Sequence, residues 1–174
     1  VTERYSPSNP KSSQLRFHTQ TAGVSLTAQQ PMNNVVRVSY QALAAVLGGT
    51  QSLHTNAFDE ALGLPTEESV KIALRTQQIL SEETGVPEVV DPLSGSVHVE
   101  FLTKQIRDTA STKIDEIIKN GGAMNAIERG FQQRAIHDSA WSQLSDIESG
   151  NRKIIGVNHA VDNSQIEDAG QVLD

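Results

Sequence analysis

From Leu15 to Thr21, the residues Leu15, Phe17, Thr19 and Thr21 alternate with Arg16, His18 and Gln20, and this period of two predicts a short strand. In a regular strand Arg16, His18 and Gln20 share one face. Three long polar side chains do not build an ordinary core, so that face is either wet or meets a polar body. Past Pro31, Asn33 or Asn34 is placed to cap a helix that runs to about Leu47 and stops at Gly48-Gly49. Val35, Val38, Ala42, Ala45 and Val46 fall on one stripe of that helix. Thr50 to Thr55 is a second extended segment, with Gln51 and Leu53 facing one way and Ser52 and His54 the other.

Asn56 to Pro65 reads as a loop, with a possible helical turn around Asp59-Glu60-Ala61-Leu62. Thr66, with Ser69 three residues on and Glu67 and Glu68 in the first turn, predicts a helix N-terminus. That helix continues through Ile72, Leu74, Ile79 and Leu80 to Gly85. After the turn Asp91-Pro92-Leu93-Ser94-Gly95, Ser96 opens a long helix ending at Gly121-Gly122. A further helical region spans Ala123 to about Glu148 with a break near Gly130, and Ile154 to Val157 is expected as a short last strand.

Two strand–helix units followed by helices predict an α/β protein. Two parallel strands cannot close a barrel, and their free edges are a hazard in isolation. The pattern is therefore expected to be the C-terminal portion of a (β/α)8 TIM barrel, its last two strand–helix units, followed by C-terminal helices. The expected divisions are the barrel units over 1–90, a helical extension over 91–160 and an acidic tail or linker over 161–174. Val1 in place of an initiator Met fits a fragment, a processed chain or a split subunit.

Composition narrows the chemistry. Lys and Arg total 14 against 21 Asp and Glu, a net charge of −7 with no block of either sign, which argues against a nucleic-acid surface. There is no cysteine, so disulfides, thiolate nucleophiles and Cys-ligated metals are all excluded. His18 and His54 lack a third ligand of suitable spacing, and no metal site is expected. No apolar run reaches the roughly 18 residues of a membrane span. These features suit a cytoplasmic protein.

In a barrel, functional groups collect at strand C-terminal ends. Here those ends are expected at His18-Thr19-Gln20-Thr21-Ala22-Gly23 and at Gln51-Ser52-Leu53-His54-Thr55-Asn56. Both are rich in hydrogen-bonding groups, and the second leads into Asp59-Glu60. These stretches, with Phe58 to Thr66, Asp91 to Ser96 and Ile155-Gly156-Val157-Asn158, resemble the catalytic subunit of the methylmalonyl-CoA mutase family. The likeness runs from about residue 12 to 160 in one order.

The resemblance implies an isomerase that rearranges an acyl-CoA carbon skeleton with adenosylcobalamin, most readily methylmalonyl-CoA to succinyl-CoA. Isobutyryl-CoA or a 2-hydroxyacyl-CoA are alternative substrates, since the selecting residues belong to earlier strands. It also implies that the acyl-CoA chain threads the barrel axis and that the cofactor sits on the strand C-terminal face. A separate cobalamin-binding domain or subunit carries the cobalt-binding D-x-H-x-x-G motif, which this chain lacks. The missing strands, that domain and an oligomeric assembly are the expected partners. The family's catalytic residues lie on the missing strands, so none is assigned here. An inert fragment, or an assembly module that completes a barrel with another chain, is the rival reading.

On the family pattern, His18, Gln20, Gly23, Glu60, Ala61, Gly63 and Leu64 are the expected cofactor contacts. Gln20 would lie over the corrin, Glu60 would accept from the adenosyl ribose, and Ala61, Gly63 and Leu64 would form an apolar wall. Gln51 and Ser52 are the expected substrate contacts. Simpler roles compete: His18 as a bonded barrel-lining residue, Glu60 as a helix cap, Gly23 and Gly63 as turn glycines. His54 and Asn56 read as structural bonders, and Trp141 as a packing anchor.

Overall fold

The computed structural model describes residues 2–162, which divide after Leu93 into two compact units. Beyond Asp162 the expected acidic tail lies outside the described residues.

The first unit opens with a one-turn helix, α1 (Thr2–Tyr5), and a 3-10 turn at Pro10–Ser13 capped by Asn9. Strand β1 (Thr19–Gln20) pairs in parallel with β2 (Leu53–His54), setting Thr19 opposite Leu53 and Gln20 opposite His54. Both strands are shorter than the alternation predicts. A strand extends only as far as it has a ladder partner. Arg16 to His18 lies outside the ladder and Gln51-Ser52 is a bend, so the expected second extended segment is shorter; Phe17 N donates to Gln51 Oε1 at 2.9 Å and Thr19 N to Ser52 O at 2.9 Å.

Between the strands lies α2 (Asn33–Leu47). Asn34, Val38 and Ala42 are its buried positions, so the inward stripe is led by a polar residue and not by Val35. Asn34 does not cap its own helix; Met32 stands at that position without a side-chain bond. Helix α3 (Glu67–Glu83) begins as expected, with Ser69 N donating to the Thr66 hydroxyl. It ends before Gly85, whose φ of 68° suits the left-handed stop. Leu26, Val38, Ala42, Ala57, Ala73 and Leu80 form a small core interleaved with buried Thr21, Asn34, Thr55, Asn56, Asp59, Ser69 and Thr76. Most of the polar groups in such a core must be hydrogen-bonded. Thr55 is an example: its hydroxyl donates to Ala73 O at 2.6 Å and accepts from Gln77 Nε2 at 3.0 Å.

The second unit holds α4 (Val97–Lys119), α5 (Gly122–Glu128) and α6 (Phe131–Glu148). Ser96 caps α4, and Gly130, at φ 68°, makes the break between α5 and α6. Neither long helix buries a residue fully. Trp141, expected as a packing anchor, is instead 64% exposed among the described residues. The expected last strand is instead a turn with a single bridge, Ile155 to His159. Asn158 organises it: its Nδ2 donates to Ile147 O and Arg152 O, and its Oδ1 accepts from Ile154 N. The side chain thereby adds a donor to a carbonyl in the last turn of α6 that Gly150 N also reaches, at 3.1 Å.

Candidate functional site

The residues expected to act together separate into two levels along the parallel pair. His18 precedes β1, and Gln51 and Ser52 precede β2, so these three mark the strand entrances and not the C-terminal ends where the sequence pattern put them. There His18 Nδ1 and Ser52 Oγ lie 2.6 Å apart. Beside them the hydroxyls of Thr19 and Thr50 are also 2.6 Å apart. A hollow of about 200 Å³ next to this level is lined by Thr50, Gln51, Ser52, Leu80 and Pro87.

The upper level lies past the strand ends. Gln20 is exposed, and its Nε2 donates to Asn56 Oδ1 at 3.1 Å. Asn56 is buried, and its backbone N–H donates to Thr21 Oγ1 at 2.9 Å. Its Nδ2 has no hydrogen-bond partner among the described residues. An unpaired buried donor costs roughly 1–3 kcal/mol, so it marks a place where a bound acceptor would be welcome. A Cβ on Gly23 would lie 2.6 Å from Glu60 Oε1 and 3.0 Å from Asn56 Nδ2. Gly23, Asn56 and Glu60 therefore surround one point, and a side chain there would have to displace the Glu60 carboxylate.

Glu60, Ala61, Gly63 and Leu64 are all exposed, in a turn where Leu62 N and Gly63 N both donate to Asp59 O. Leu64 stands 94% exposed, an apolar side chain without an internal partner to justify it. A second hollow, about 270 Å³, adjoins Glu60 and is lined by His54, Ala57, Pro65, Val70 and Leu74. Among the described residues Gln77 alone borders both hollows, so the two levels offer separate surfaces.

The turn is anchored from below by Asp59. Its Oδ2 accepts from Thr66 N at 3.1 Å and from the Thr66 hydroxyl at 3.2 Å. Burial pushes the Asp59 carboxyl up. The backbone N–H of Thr66 and the hydroxyls of Ser69 and Thr66 outweigh it and hold the group below the usual carboxylate range. Asp59 thus ties the Glu60 turn to the start of α3.

Asn56 is the member the sequence pattern assigned to structure alone. The signal that could have found it is its place two residues past the second strand, within side-chain reach of Gln20 at the end of the first. The register of the strands had to be known before that spacing meant anything.

Parallel strand–helix units with polar groups gathered near the strand ends make this an α/β protein. Comparison with known proteins makes this specific. The family model described as Methylmalonyl-CoA mutase matches residues 1–172, and the chain belongs to that family. It is 50% identical over 163 residues to a 2-hydroxyisobutanoyl-CoA mutase large subunit from Aquincola tertiaricarbonis, covering 94% of this chain and 29% of that protein. It is 53% identical over 150 residues to a methylmalonyl-CoA mutase of Escherichia coli, covering 86% and 21%. Against the human mitochondrial methylmalonyl-CoA mutase it is 47% identical over 173 residues, covering 99% and 23%. The chain thus spans less than a third of the length of these curated relatives. Among the described residues no helix is long and apolar enough to cross a membrane.

Proposed function

We propose that this chain is one part of an adenosylcobalamin-dependent acyl-CoA mutase, contributing the last two strand–helix units of a (β/α)8 barrel. The observation that carries the reading is the convergence of Gln20, at the end of β1, with Gly23, Asn56 and Glu60, past the ends of the two parallel strands, within a chain of this family. The barrel is supported by the two-stranded parallel sheet, which has no third strand on either edge among the described residues. It is supported too by apolar side chains left open on the helices that flank it, such as Tyr40, Leu74 and Ile79.

The rim fits a large ligand that carries both hydroxyl and amide groups. The Glu60 carboxylate is exposed and can accept from sugar hydroxyls, while Asn56 Nδ2 offers a donor that nothing else uses. Gln20 would hold the Asn56 amide in that orientation. Leu64 and Ala61 would present apolar surface and exclude water from the reacting centre. When bound, adenosylcobalamin supplies the cobalt–carbon bond cleavage and the radical that starts the rearrangement. The share of this chain is orientation and shielding. At the strand entrances, His18, Gln51 and Ser52 would meet the acyl-CoA, on a level of their own.

Conversion of methylmalonyl-CoA to succinyl-CoA is the reaction we favour. A 2-hydroxyacyl-CoA is the second reading, because a 2-hydroxyisobutanoyl-CoA mutase large subunit is as similar to this chain as the methylmalonyl-CoA mutases are. Turnover of the assembled enzyme with each acyl-CoA, with and without adenosylcobalamin, tests both. Cobalamin-independent turnover, or none with any acyl-CoA, would count against the proposal.

A further inference from the structure

We infer that Asn34 is a positioning residue for the cofactor rim, and this rests on the functional reading above. Asn34 has no exposed surface and sits on the inward face of α2, away from the rim itself. Every hydrogen-bonding atom of its amide is engaged. Oδ1 accepts from Thr27 N at 3.1 Å and from Arg37 Nη1 at 2.8 Å. Nδ2 donates to Thr27 O and to Phe58 O, each at 2.8 Å.

These partners belong to different loops. Thr27 lies in the segment that follows β1 and contains Gly23, and Phe58 lies in the segment that follows β2 and contains Asn56 and Glu60. One buried amide thus stitches together the two segments that form the rim. Arg37 can only donate, so its bond to Oδ1 fixes which end of the amide faces the two carbonyls. Two turns along the same helix, Gln41 holds the other end of the first segment. It accepts from Ala22 N and donates to Ser25 Oγ at 2.6 Å. The gap between Gly23 and the Glu60 carboxylate is only as wide as these clamps leave it, and functional geometry tolerates little slack.

The test is Asn34→Asp in the assembled mutase. The replacement keeps the shape but turns an acceptor oxygen toward Thr27 O and Phe58 O. Adenosylcobalamin affinity, by calorimetry, should fall about tenfold or more, while KM for acyl-CoA stays within about twofold. Without cofactor, the amides of Ser25, Leu26, Glu60 and Leu62 should exchange faster while those in the middle of α2 and α3 keep their protection. Loosened loops with unchanged cofactor affinity would overturn the inference, as would equal losses toward both ligands. If Asn34→Asp does not fold, Gln41→Met decides. It removes one clamp at a half-buried site and should weaken cofactor binding about threefold with the same acyl-CoA split; wild-type affinity would overturn the inference. Wild-type enzyme that binds no adenosylcobalamin sinks the functional reading itself, whereas intact wild-type binding with unaffected variants sinks only the role of Asn34.

Discussion

Gly23 and Glu60 are so close that a Cβ on the glycine would lie 2.6 Å from the carboxylate oxygen Oε1. The two residues come from segments that follow different strands, and each limits where the other can be. Glu60 is exposed and flexible, so the pair records a preferred placement of the carboxylate more than a packed contact.

Gly23→Ala should therefore displace Glu60 while leaving the fold intact. The Asn56 amide, 3.0 Å from the same point, is buried and must give by a few tenths of an ångström. A destabilisation of about 1 kcal/mol is expected in thermal melts, within the range for a tight added methyl group. Adenosylcobalamin affinity should drop about tenfold, equivalent to about 1.4 kcal/mol. Unchanged affinity would show that the position of Glu60 is irrelevant to binding.

Glu60→Ala removes the carboxylate without opening a cavity. Stability should stay within about 0.5 kcal/mol of wild type, as for other exposed positions. Calorimetry should show cofactor binding weakened about tenfold, and Glu60→Gln should recover part of it because an amide oxygen still accepts. Full activity and affinity in Glu60→Ala would remove Glu60 from the rim.

Ser52→Ala separates the two levels. It takes away the partner of His18 Nδ1 at the strand entrances. KM for acyl-CoA should rise several-fold, about 1 kcal/mol for one lost hydrogen bond, while adenosylcobalamin affinity holds. Losses in cofactor affinity instead would place Ser52 with the upper set.

Asp59 makes stability at the start of α3 depend on pH. Its carboxyl is held below the usual carboxylate range, so the unfolded chain takes up the proton first as pH falls. The stabilisation is complete above the unfolded value of about 3.9 and is lost as pH drops through the lower folded value. Asp59→Asn should cost roughly 1–2 kcal/mol at neutral pH. That cost should shrink on acidification, read from protection of the Ser69 and Val70 amides after correction for intrinsic exchange. A cost that does not vary with pH would contradict the assignment.

Asn158→Ala should loosen the turn after α6. It deletes donors to Ile147 O at 2.8 Å and Arg152 O at 2.7 Å. Trypsin cleavage after Arg152 and Lys153 should accelerate several-fold, consistent with a local loss of about 1 kcal/mol or more. Equal cleavage rates would mean that the turn holds without its asparagine.

Much of this molecule is written locally. Thr66 with Ser69, Ser96, Gly85 and Gly130 set helix ends through contacts within a few residues, and these ends fall where the chain alone predicts them. The run Gln51 to Asn56 also carried the family likeness directly in its letters. Strand lengths were not legible in the same way, because pairing is non-local: β1 and β2 stop after two residues since a ladder needs a neighbour at each step. For the same reason Gln51 and Ser52 fell at the strand entrances, not with Glu60. Asn34 reads as a helix cap in one dimension and becomes a buried clamp in three, because its partners Thr27 and Phe58 lie on opposite sides of it in sequence. The sequence by itself determined the local elements and the kinship. Only the tertiary structure decided which polar groups meet, since that depends on the register between strands and on which face of α2 turns inward.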